Sequence, residues 1–371
     1  MFTFVCMEEL NNQRYLSSSL LELLFLKYRL IKQLKVLGNS GMGLPIYGLK
    51  IGKGKTKVLI WSQMHGNEST TTKSLFDFYE FLSKKKNSYN ILNSITYLII
   101  FQLNPDGANL YSRNNANDVD LNRDALLLKE PESNVLNDTF VSFKPNYCFN
   151  LHGQRTIYRV SGSNNPASIS FLSPSVSNNN IITDSRKTSM QLIFEAYKVL
   201  IKKYKNIVSR YDDSFNINCF GDSFTKRGVP TVLIEAGHYP DDFYRTFSRK
   251  MVFNSLVIIS NSISSNSFKK TDYIEYFKIP ENKDDLRDVI IKNFSVKLNG
   301  KIIKNQEISI QYREELDDKK INFIPVIDEI SNKLHYKSCK EYTLNDIESS
   351  NNVYEIAIGD NAEKLLKALN L

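Results

Sequence analysis

The chain has 371 residues, of which 42% are hydrophobic and 12% aromatic, a composition typical of a globular protein with a substantial core. Lys and Arg outnumber Asp and Glu by 48 to 40, which gives a formal net charge of +8. The excess is spread over lysine-rich loops instead of one patch interleaved with aromatic residues, which disfavours a nucleic-acid-binding role.

The cysteines and the amino terminus bear on the compartment. The four cysteines are far apart and form no C-x-x-C pair, which disfavours a disulfide framework and a cysteine-based zinc site. Isolated buried thiols in a reducing compartment are expected. The first residues lack a basic region followed by a long apolar run, so no signal peptide is predicted. We therefore expect a cytoplasmic protein; its oligomeric state is left open.

The predicted elements begin with SLLELLFLKYRLIKQL, which is too short and too charged to span a bilayer and is typical of an amphipathic helix. No membrane partner is expected. Two β-rich runs in GLPIYGLKIGKGKTKVLIWSQ, separated by Gly-Lys-Gly-Lys, predict a β-hairpin. A helix follows from Thr70, then a buried strand in SITYLIIFQLNPDG, and helices are predicted over residues 181–205 and up to about residue 265.

A histidine or a glutamate comes at the end of each of three apolar strands. LIWSQMHGNE leads to His65, YCFNLHGQ ends at His152, and VPTVLIEAG ends at Glu235. Strands that alternate with helices predict an α/β fold with a central mixed, mostly parallel sheet flanked by helices. Ligands gather at the carboxyl ends of the strands in such sheets, so these three side chains are candidates for one site.

The chain changes character from about residue 271. The run FSVKLNGKIIKNQEISIQYREELDDKKINFIPVI alternates with period two around Asn299-Gly300, which predicts a β-hairpin. We expect a catalytic domain over residues 1–270 and a small β-rich domain over residues 271–371, joined near residues 266–274. His335 in the second domain is interpreted as a surface or structural histidine.

A zinc ion in a hydrolytic site takes about three protein ligands and leaves a position for water. His65 and Glu68 lie three residues apart on a glycine-containing loop and can supply two ligands, although such residues can also be solvated in an ordinary turn. His152 is the candidate for the third ligand. His238, which follows Glu235, is the competing candidate.

The segment 104–124 lies between these candidates and is rich in Asn, Asp and Gly, as an ordinary polar loop is. It also places Arg113, Asn122 and Arg123 in one irregular stretch. A guanidinium group beside an amide is well suited to bind a carboxylate.

Five features follow one another along the chain: His65-Gly-Asn-Glu68, Asn104-Pro-Asp-Gly107, the run RNNANDVDLNR from Arg113 to Arg123, His152 and Glu235. Their order and context resemble the zinc carboxypeptidase family, the M14 metallopeptidases. The run RNNANDVDLNR is especially similar to the bacterial branch that includes murein peptide amidases. The resemblance covers residues 40–265, and the β-rich tail lies outside it.

The resemblance implies a mechanism with about one zinc ion per chain. His65, Glu68 and His152 would bind the zinc, and Glu235 would be the general base in an attack by zinc-bound hydroxide. Arg113 would polarise the scissile carbonyl and stabilise the oxyanion.

The resemblance also implies how the substrate is held. Asn122 and Arg123 would bind the terminal carboxylate, and Asp120 would orient His65 from behind. Tyr211 is a loose match to a tyrosine on a mobile loop of the family. Arg155 either lines the pocket or pairs with a neighbouring acid.

Two positions depart from the family's pattern. Asp118 stands where the bacterial branch commonly has glycine, and Asp124 stands where asparagine is usual. Both aspartates are expected to place acid near Arg123 and to weaken its hold on an anionic substrate.

The sequence thus predicts a zinc-dependent hydrolase that cleaves a peptide or amide bond next to a free carboxylate. One alternative is an N-acyl amino acid deacylase of the succinylglutamate desuccinylase type, which shares the H-G-N-E start, the D-L-N-R run and a small β-rich tail. The other alternative is a catalytically silent protein that binds zinc or peptide. A Glu235 that is only structural, paired with a nearby arginine, would favour the silent protein.

Overall fold

The computed structural model describes residues 13–84, 86–298, 300–345 and 353–371, which form two compact units. The first unit comprises the described residues up to Gln154 together with Ala167–Asn282. The second unit comprises Arg155–Pro166 and the described part of Lys283–Leu371.

The first unit extends beyond the predicted boundary at residue 270. Two 3₁₀ helices follow the last long helix, Ser267–Lys270 and Tyr273–Lys278. Phe268 and Tyr276 in these turns are buried in the core of the first unit. Burial of these two rings accounts for the later end of the unit, because apolar surface removed from water holds the segment in place.

An eight-stranded sheet is the centre of the first unit. Its strands are β1 (Leu34–Asn39), β2 (Pro45–Ile51), β3 (Thr56–Ser62), β4 (Ile95–Ile100), β5 (Tyr147–Gly153), β6 (Ile169–Leu172), β7 (Val208–Arg210) and β8 (Thr231–Ala236). The spatial order is β1-β2-β4-β3-β5-β8-β6-β7. β3 runs parallel to β4 and β5, and β5 runs parallel to β8. The antiparallel pairs are β1 with β2, β2 with β4, and β6 with β8.

Helices surround this sheet. The α-helices of the unit are α1 (Ser18–Lys27), α2 (Ser69–Lys84), α3 (Tyr89–Ser94), α4 (Pro105–Leu110), α5 (Pro131–Phe143), α6 (Asp184–Leu200), α7 (Phe220–Lys226) and α8 (Thr246–Ser265). Further 3₁₀ turns are Ile31–Gln33, Lys86–Ser88 and Leu121–Arg123. Within the part of the chain described, no helix combines the length and apolar character needed to cross a membrane.

The sheet separates two apolar cores. Successive residues of β3 point to opposite faces, so Val58 and Ile60 join one core while Leu59 and Trp61 join the other. The first core contains residues of α2, α6 and α8, and the second contains residues of α5 and α7. The predicted α/β fold with a central mixed sheet flanked by helices is confirmed.

The predicted hairpin around Gly52-Lys-Gly-Lys55 is wrong. β4 lies between β2 and β3, and β2 pairs with β1 and β4 instead. The two glycines allow this arrangement, because a Cβ on Gly52 would lie 2.1 Å from the Ile95 carbonyl oxygen and one on Gly54 would lie 1.8 Å from the Ser94 carbonyl carbon. Glycine here serves close backbone approach to the start of β4.

The first predicted helix is also too long. α1 ends at Lys27, and Leu34 already begins β1, which forms the true hairpin with β2. Arg29 adopts a left-handed conformation with φ of 57°, which stops the helix although the apolar spacing continues.

The second unit is rich in β-structure, as predicted. Its long strands are β9 (Leu286–Leu298), β10 (Lys301–Asp317), β11 (Lys320–Ser331) and β12 (Lys337–Thr343), with the short β13 (Val353–Tyr354), the two-residue strand Arg159–Val160 and the helix α9 (Glu363–Ala368). A further short strand, Asn282–Lys283, spans the boundary of the units. Asn299 of the predicted turn lies outside the described residues, but the flanking strands pair antiparallel, with Leu298 opposite Lys301.

Candidate active site

Three parallel neighbouring strands bring the predicted site residues to one edge of the sheet. His65 follows β3, His152 lies near the end of β5, and Glu235 lies near the end of β8. His152 is directly paired with Glu235 in the register of β5 and β8. The order β3-β5-β8 therefore places the three side chains side by side, as the strand-end argument predicts.

The loop that carries His65 is fixed by buried polar contacts. Gln63 turns the chain with a φ of 49°, and its Nε2 donates to the Gly66 carbonyl oxygen over 2.7 Å. Asn104 donates through Nδ2 to the Met64 carbonyl oxygen over 3.2 Å. A Cβ on Gly66 would lie 2.0 Å from the carbonyl carbon of Gly107, so glycine is required where these two loops touch.

His65, Glu68 and His152 converge so closely that all three can contact one metal ion. The Nδ1 atom of His65 lies 2.8 Å from Glu68 Oε1 and 3.2 Å from His152 Nδ1. His152 Nδ1 lies 3.1 Å from Glu68 Oε2. The backbone N–H of Gly153 donates to the same Oε2 over 2.8 Å and fixes the carboxylate.

This donor set fits zinc. Two imidazole nitrogens and a carboxylate are the ligands of many catalytic zinc sites. Zn–N bonds of about 2.0–2.1 Å in a tetrahedron place neighbouring ligand atoms roughly 3.3 Å apart, close to the spacing of these three groups. His238, the competing candidate, is not part of this group.

Asp120 lies behind His65 and contacts both His65 and Arg113. Its Oδ1 lies 3.0 Å from His65 Nε2, the ring nitrogen that faces away from Glu68. Its Oδ2 accepts from Arg113 Nε over 3.1 Å and from Arg113 Nη2 over 3.0 Å. One carboxylate thus orients both the metal-binding face of His65 and the guanidinium of Arg113.

Asp120→Ala should lower zinc affinity roughly 10- to 100-fold, because His65 loses the acceptor that fixes its ring and its tautomer. Competition with a chelating zinc dye measures the change. Asp118→Ala is the matched control, since Asp118 is exposed and accepts from Asn114 Nδ2 in the same loop. Equal affinities of the Asp120 variant and the parent would exclude this role.

The metal-free site has an unusual distribution of charge. Burial opposes protonation of His65, but Glu68 and the hydrogen bond to Asp120 raise the pKa of His65 to about 9. Burial likewise opposes ionisation of Glu68, yet the two histidines hold the pKa of Glu68 well below its usual value. Burial lowers the pKa of His152. A cation bound here would replace the proton on His65 and meet an ionised carboxylate.

Glu235 lies in an environment that opposes the ionisation of its carboxylate. Its Oε2 atom is buried and has no hydrogen-bond partner among the described residues. Among the same residues, no side chain forms an ion pair with Glu235 within 4.0 Å. Burial, together with the negative charge of Glu68, raises the pKa of Glu235 to about 8. A bound cation would oppose both effects.

Asn122 and Arg123 lie next to one another on the 3₁₀ turn Leu121–Arg123. Asn122 Oδ1 accepts from the Phe220 backbone N–H over 3.1 Å, and no bond of its Nδ2 group occurs among the described residues. Arg123 is exposed, and its Nη1 donates to the Asn122 carbonyl oxygen over 2.8 Å and to Cys219 Sγ over 3.0 Å.

The expectation that Asp118 and Asp124 act on Arg123 is not supported. Asp124 is buried, and its two carboxylate oxygens accept from the backbone N–H groups of Lys129 and Glu130. Asp118 accepts from Asn114 over 2.8 Å. Neither aspartate forms an ion pair with Arg123 in the described structure, since both carboxylates stabilise their own loops.

The remaining predicted residues have not been brought to the metal group by any described contact. Tyr211 is half-buried, and its backbone N–H donates to the Phe171 carbonyl oxygen over 2.8 Å. Arg155 is exposed and belongs to the second unit. Their roles in substrate binding stay predictions. His335 is exposed, as a surface histidine would be.

Sequence reasoning does not single out Asn150. This residue lies on β5 two positions before His152 and is completely buried, but neither polar atom of its side chain has a partner among the described residues. The signal was present in the sequence as a lone asparagine within the apolar strand YCFNLHG.

Comparisons with known proteins concern the family and the fold. The profile of a family described as zinc carboxypeptidase matches residues 18–186. A metallo-carboxypeptidase from Burkholderia cenocepacia has a similar fold, with a TM-score of 0.55 and 15% identity over 68% of this chain and 70% of that chain. No curated protein sequence matches the chain.

Two further solved structures share the fold. A metallo-carboxypeptidase from Pseudomonas aeruginosa, in complex with (2-guanidinoethylmercapto)succinic acid, gives a TM-score of 0.53 at 16% identity over 67% of this chain and 70% of that chain. Carboxypeptidase A from Helicoverpa armigera gives 0.53 at 15% identity over 69% and 75%. None of the three is described as a murein peptide amidase, so that branch stays a prediction. Residues 18–186 are thus similar to the zinc carboxypeptidase family, and the fold of the chain is similar to that of solved metallo-carboxypeptidases.

Proposed function

We propose that this protein is a zinc-dependent hydrolase that cleaves a peptide or amide bond next to a free carboxylate. The observation that carries the proposal is the pairing of His152 with Glu235 across two parallel strands. It places an unpartnered carboxylate beside the His65, Glu68 and His152 group. A silent binding protein has no need for that buried carboxylate, which carries a cost in stability.

Zinc held by His65, Glu68 and His152 would act as a Lewis acid and would lower the pKa of bound water to about 7. Glu235 takes a proton from the attacking water and passes it to the nitrogen of the leaving amine.

Arg113 is proposed to stabilise the negative charge that develops on the carbonyl oxygen. Asp120 holds it through Nε and Nη2, which leaves Nη1 directed toward His65 Nδ1 at 3.2 Å and Glu68 Oε1 at 3.6 Å. The guanidinium therefore has a fixed orientation and one donor at the metal group. A donor fixed in advance is worth roughly 3 kcal/mol in comparable sites.

Asn122 and Arg123 are proposed to bind the free carboxylate of the substrate. Arg123 presents an exposed guanidinium, and the Nδ2 group of Asn122 is an available donor beside it. Charge-assisted hydrogen bonds of this kind are stronger than neutral ones and recognise a planar carboxylate.

Arg123→Ala should raise KM for peptides with a free terminal carboxylate by at least about 10-fold and leave their amidated forms nearly unaffected. Initial rates on matched free and amidated peptides measure both effects. Arg313→Ala is the control, because Arg313 is an exposed arginine of the second unit paired with Glu315. Equal losses on the two peptide forms would assign Arg123 a structural role.

A substrate panel tests the proposed function itself. The zinc-loaded protein is offered blocked peptides with free carboxyl termini, the same peptides amidated, and N-acetyl and N-succinyl amino acids. Release of the terminal amino acid from the free peptides alone is expected. Hydrolysis confined to the N-acyl amino acids would instead establish a deacylase, and no hydrolysis with retained zinc would establish a binding protein.

A further inference from the structure

A groove on the surface of the first unit lies between α2, α6 and α8, and we call it the α8 groove. It has a volume of about 1070 Å³ and is open to solvent along one side. α8 lines it from Thr246 to Ile258, so the groove follows this helix for roughly 18 Å, about three turns. Its phenyl and aliphatic lining side chains are Phe81, Val199, Leu200, Phe253, Val257 and Ile258.

α8 carries apolar residues on its core side and again in the groove. Val252 and Leu256 are fully buried in the first core, whereas Phe253, Val257 and Ile258 are only partly buried and line the groove. A surface helix is normally polar on the side that faces water. The α8 groove therefore presents apolar surface that no described residue covers.

The two acidic side chains that line the groove are already paired. Asp77 accepts from Arg249 Nε and Nη2, each over 2.6 Å. Glu80 accepts from Lys84 Nζ, also over 2.6 Å. These two pairs are neutral overall, so they leave the charge of the groove to its other ionisable groups.

Lys203 and Lys250 are those other groups, and both are exposed. Neither forms an ion pair within 4.0 Å in the described part of the chain. Lys203 lies after α6 and Lys250 lies on α8, so positive charge borders the apolar lining from two elements. An occupant with negative charge beside an apolar stripe is complementary to this arrangement.

The shape of the groove indicates the kind of occupant. Small-molecule pockets enclose about 300–1,000 Å³ and cover most of their ligand. The α8 groove is larger and open, so a small ligand would remain largely in water. Its concave form also does not match the flat surface of a membrane. A straight, open, apolar groove suits a helix that lies in it lengthwise.

We propose that the α8 groove is a docking site for an acidic amphipathic helix of a partner protein. Apolar residues at positions i, i+3, i+4 and i+7 of that helix contact the apolar lining. Its carboxylates, on either side of the apolar stripe, lie near Lys203 and Lys250. Asp77 comes eight residues after Ser69 on α2, roughly 12 Å along the helix, so docking requires no contact with the metal group.

Two synthetic peptides of about 14 residues test this proposal. Both have leucine at positions i, i+3, i+4 and i+7, with glutamate at the flanking positions of one and lysine at those of the other. The zinc-loaded full chain should bind the glutamate peptide at least about 10-fold more tightly by fluorescence anisotropy, and salt should weaken the binding. Equal binding of the two peptides, or no binding of the glutamate peptide, would overturn the proposal.

Reversal of the charge of the groove is the first variant. Lys203→Glu combined with Lys250→Glu should make the lysine peptide the tighter of the two. Lys32→Glu combined with Lys35→Glu changes the net charge equally, at exposed positions in and just before the edge strand β1, and should keep the preference of the parent. The same preference in both double variants would show that net charge and not the groove attracts the peptide.

An acid on the apolar lining is the second variant. Val199 is 42% exposed, so Val199→Asp should leave Tm nearly unchanged and weaken the glutamate peptide at least about 10-fold. Val141→Asp, at a valine of α5 that is 50% exposed, is the matched control and should bind like the parent. Undiminished binding by Val199→Asp would place the peptide elsewhere and overturn the proposal.

Two other occupants have distinct outcomes. A dimer of the parent in sedimentation equilibrium that Val199→Asp abolishes would assign the groove to a second copy of this chain. Cosedimentation with vesicles of phosphatidylcholine and phosphatidylserine, lost in the Lys203 and Lys250 double variant and without peptide binding, would assign it to a membrane. Either result would overturn the proposal. Zinc content and hydrolysis by the groove variants should equal those of the parent, so the proposed function stands or fails separately.

Discussion

Glu235→Gln should lower kcat by roughly 10²-fold or more and leave zinc content and substrate affinity close to those of the parent. Glutamine keeps the shape of the side chain and part of its hydrogen bonding but cannot accept and release the proton. Initial rates, metal analysis and substrate binding on one preparation measure the three quantities together.

The same variant should melt no lower than the parent. The pKa of Glu235 is raised to about 8, so in the metal-free protein the ionised form is disfavoured, and stability is lost as the pH rises through that value. Glutamine removes this dependence. A structural carboxylate would behave in the opposite way, with a lower Tm and an almost unchanged rate for the folded fraction.

Glu132→Gln provides the matched control. Glu132 is a fully buried glutamate of the same unit whose pKa is also raised by burial, but its oxygens accept from the Gly41 backbone and from Asn115. Its replacement should affect stability and not turnover. A Glu235→Gln protein that works at nearly the parent rate would end the proposed mechanism.

His152→Ala should abolish stoichiometric zinc binding, because it removes one of about three protein ligands. His152 Nδ1 is also a near neighbour of both His65 Nδ1 and Glu68 Oε2, so no described side chain replaces it at the same point. Metal analysis after dialysis against trace zinc measures the loss. Activity should be lost in parallel.

Two further histidine variants serve as controls for this result. His335→Ala, at an exposed position of the second unit, should retain the zinc content of the parent. His238→Ala should retain it as well, since His238 lies outside the group of three ligands. Retention by His152→Ala combined with loss by His238→Ala would transfer the third ligand position to His238.

Local patterns in the sequence were sufficient to predict that His65, His152 and Glu235 lie at one edge of the sheet. His65, His152 and Glu235 each follow an apolar strand, and parallel strands bring such ends together whatever the loops do. Asp120 follows no strand, and only the resemblance of its loop to the zinc carboxypeptidase family indicated it. The candidate site residues can therefore be recognised from short sequence patterns without knowledge of the whole fold.

The order of strands was not predictable in the same way. β2 and β3 have the composition of a hairpin, but β4, which comes from more than thirty residues further along the chain, separates them. Gly52 and Gly54 serve the backbone of Ser94 and Ile95, a long-range contact that turn chemistry does not display. Asn150 stands out in the sequence only as a lone asparagine in an apolar strand, and the fold adds that its amide has no hydrogen-bond partner among the described residues.

The most direct test of the central claim is a zinc titration of the metal-free protein, with release of the terminal amino acid from a peptide followed at each step. The account predicts no activity without metal, a rise in proportion to added zinc, and saturation at about one zinc per chain. Activity that persists after complete removal of zinc, or saturating zinc binding without any hydrolysis of peptides with free carboxyl termini, would contradict it.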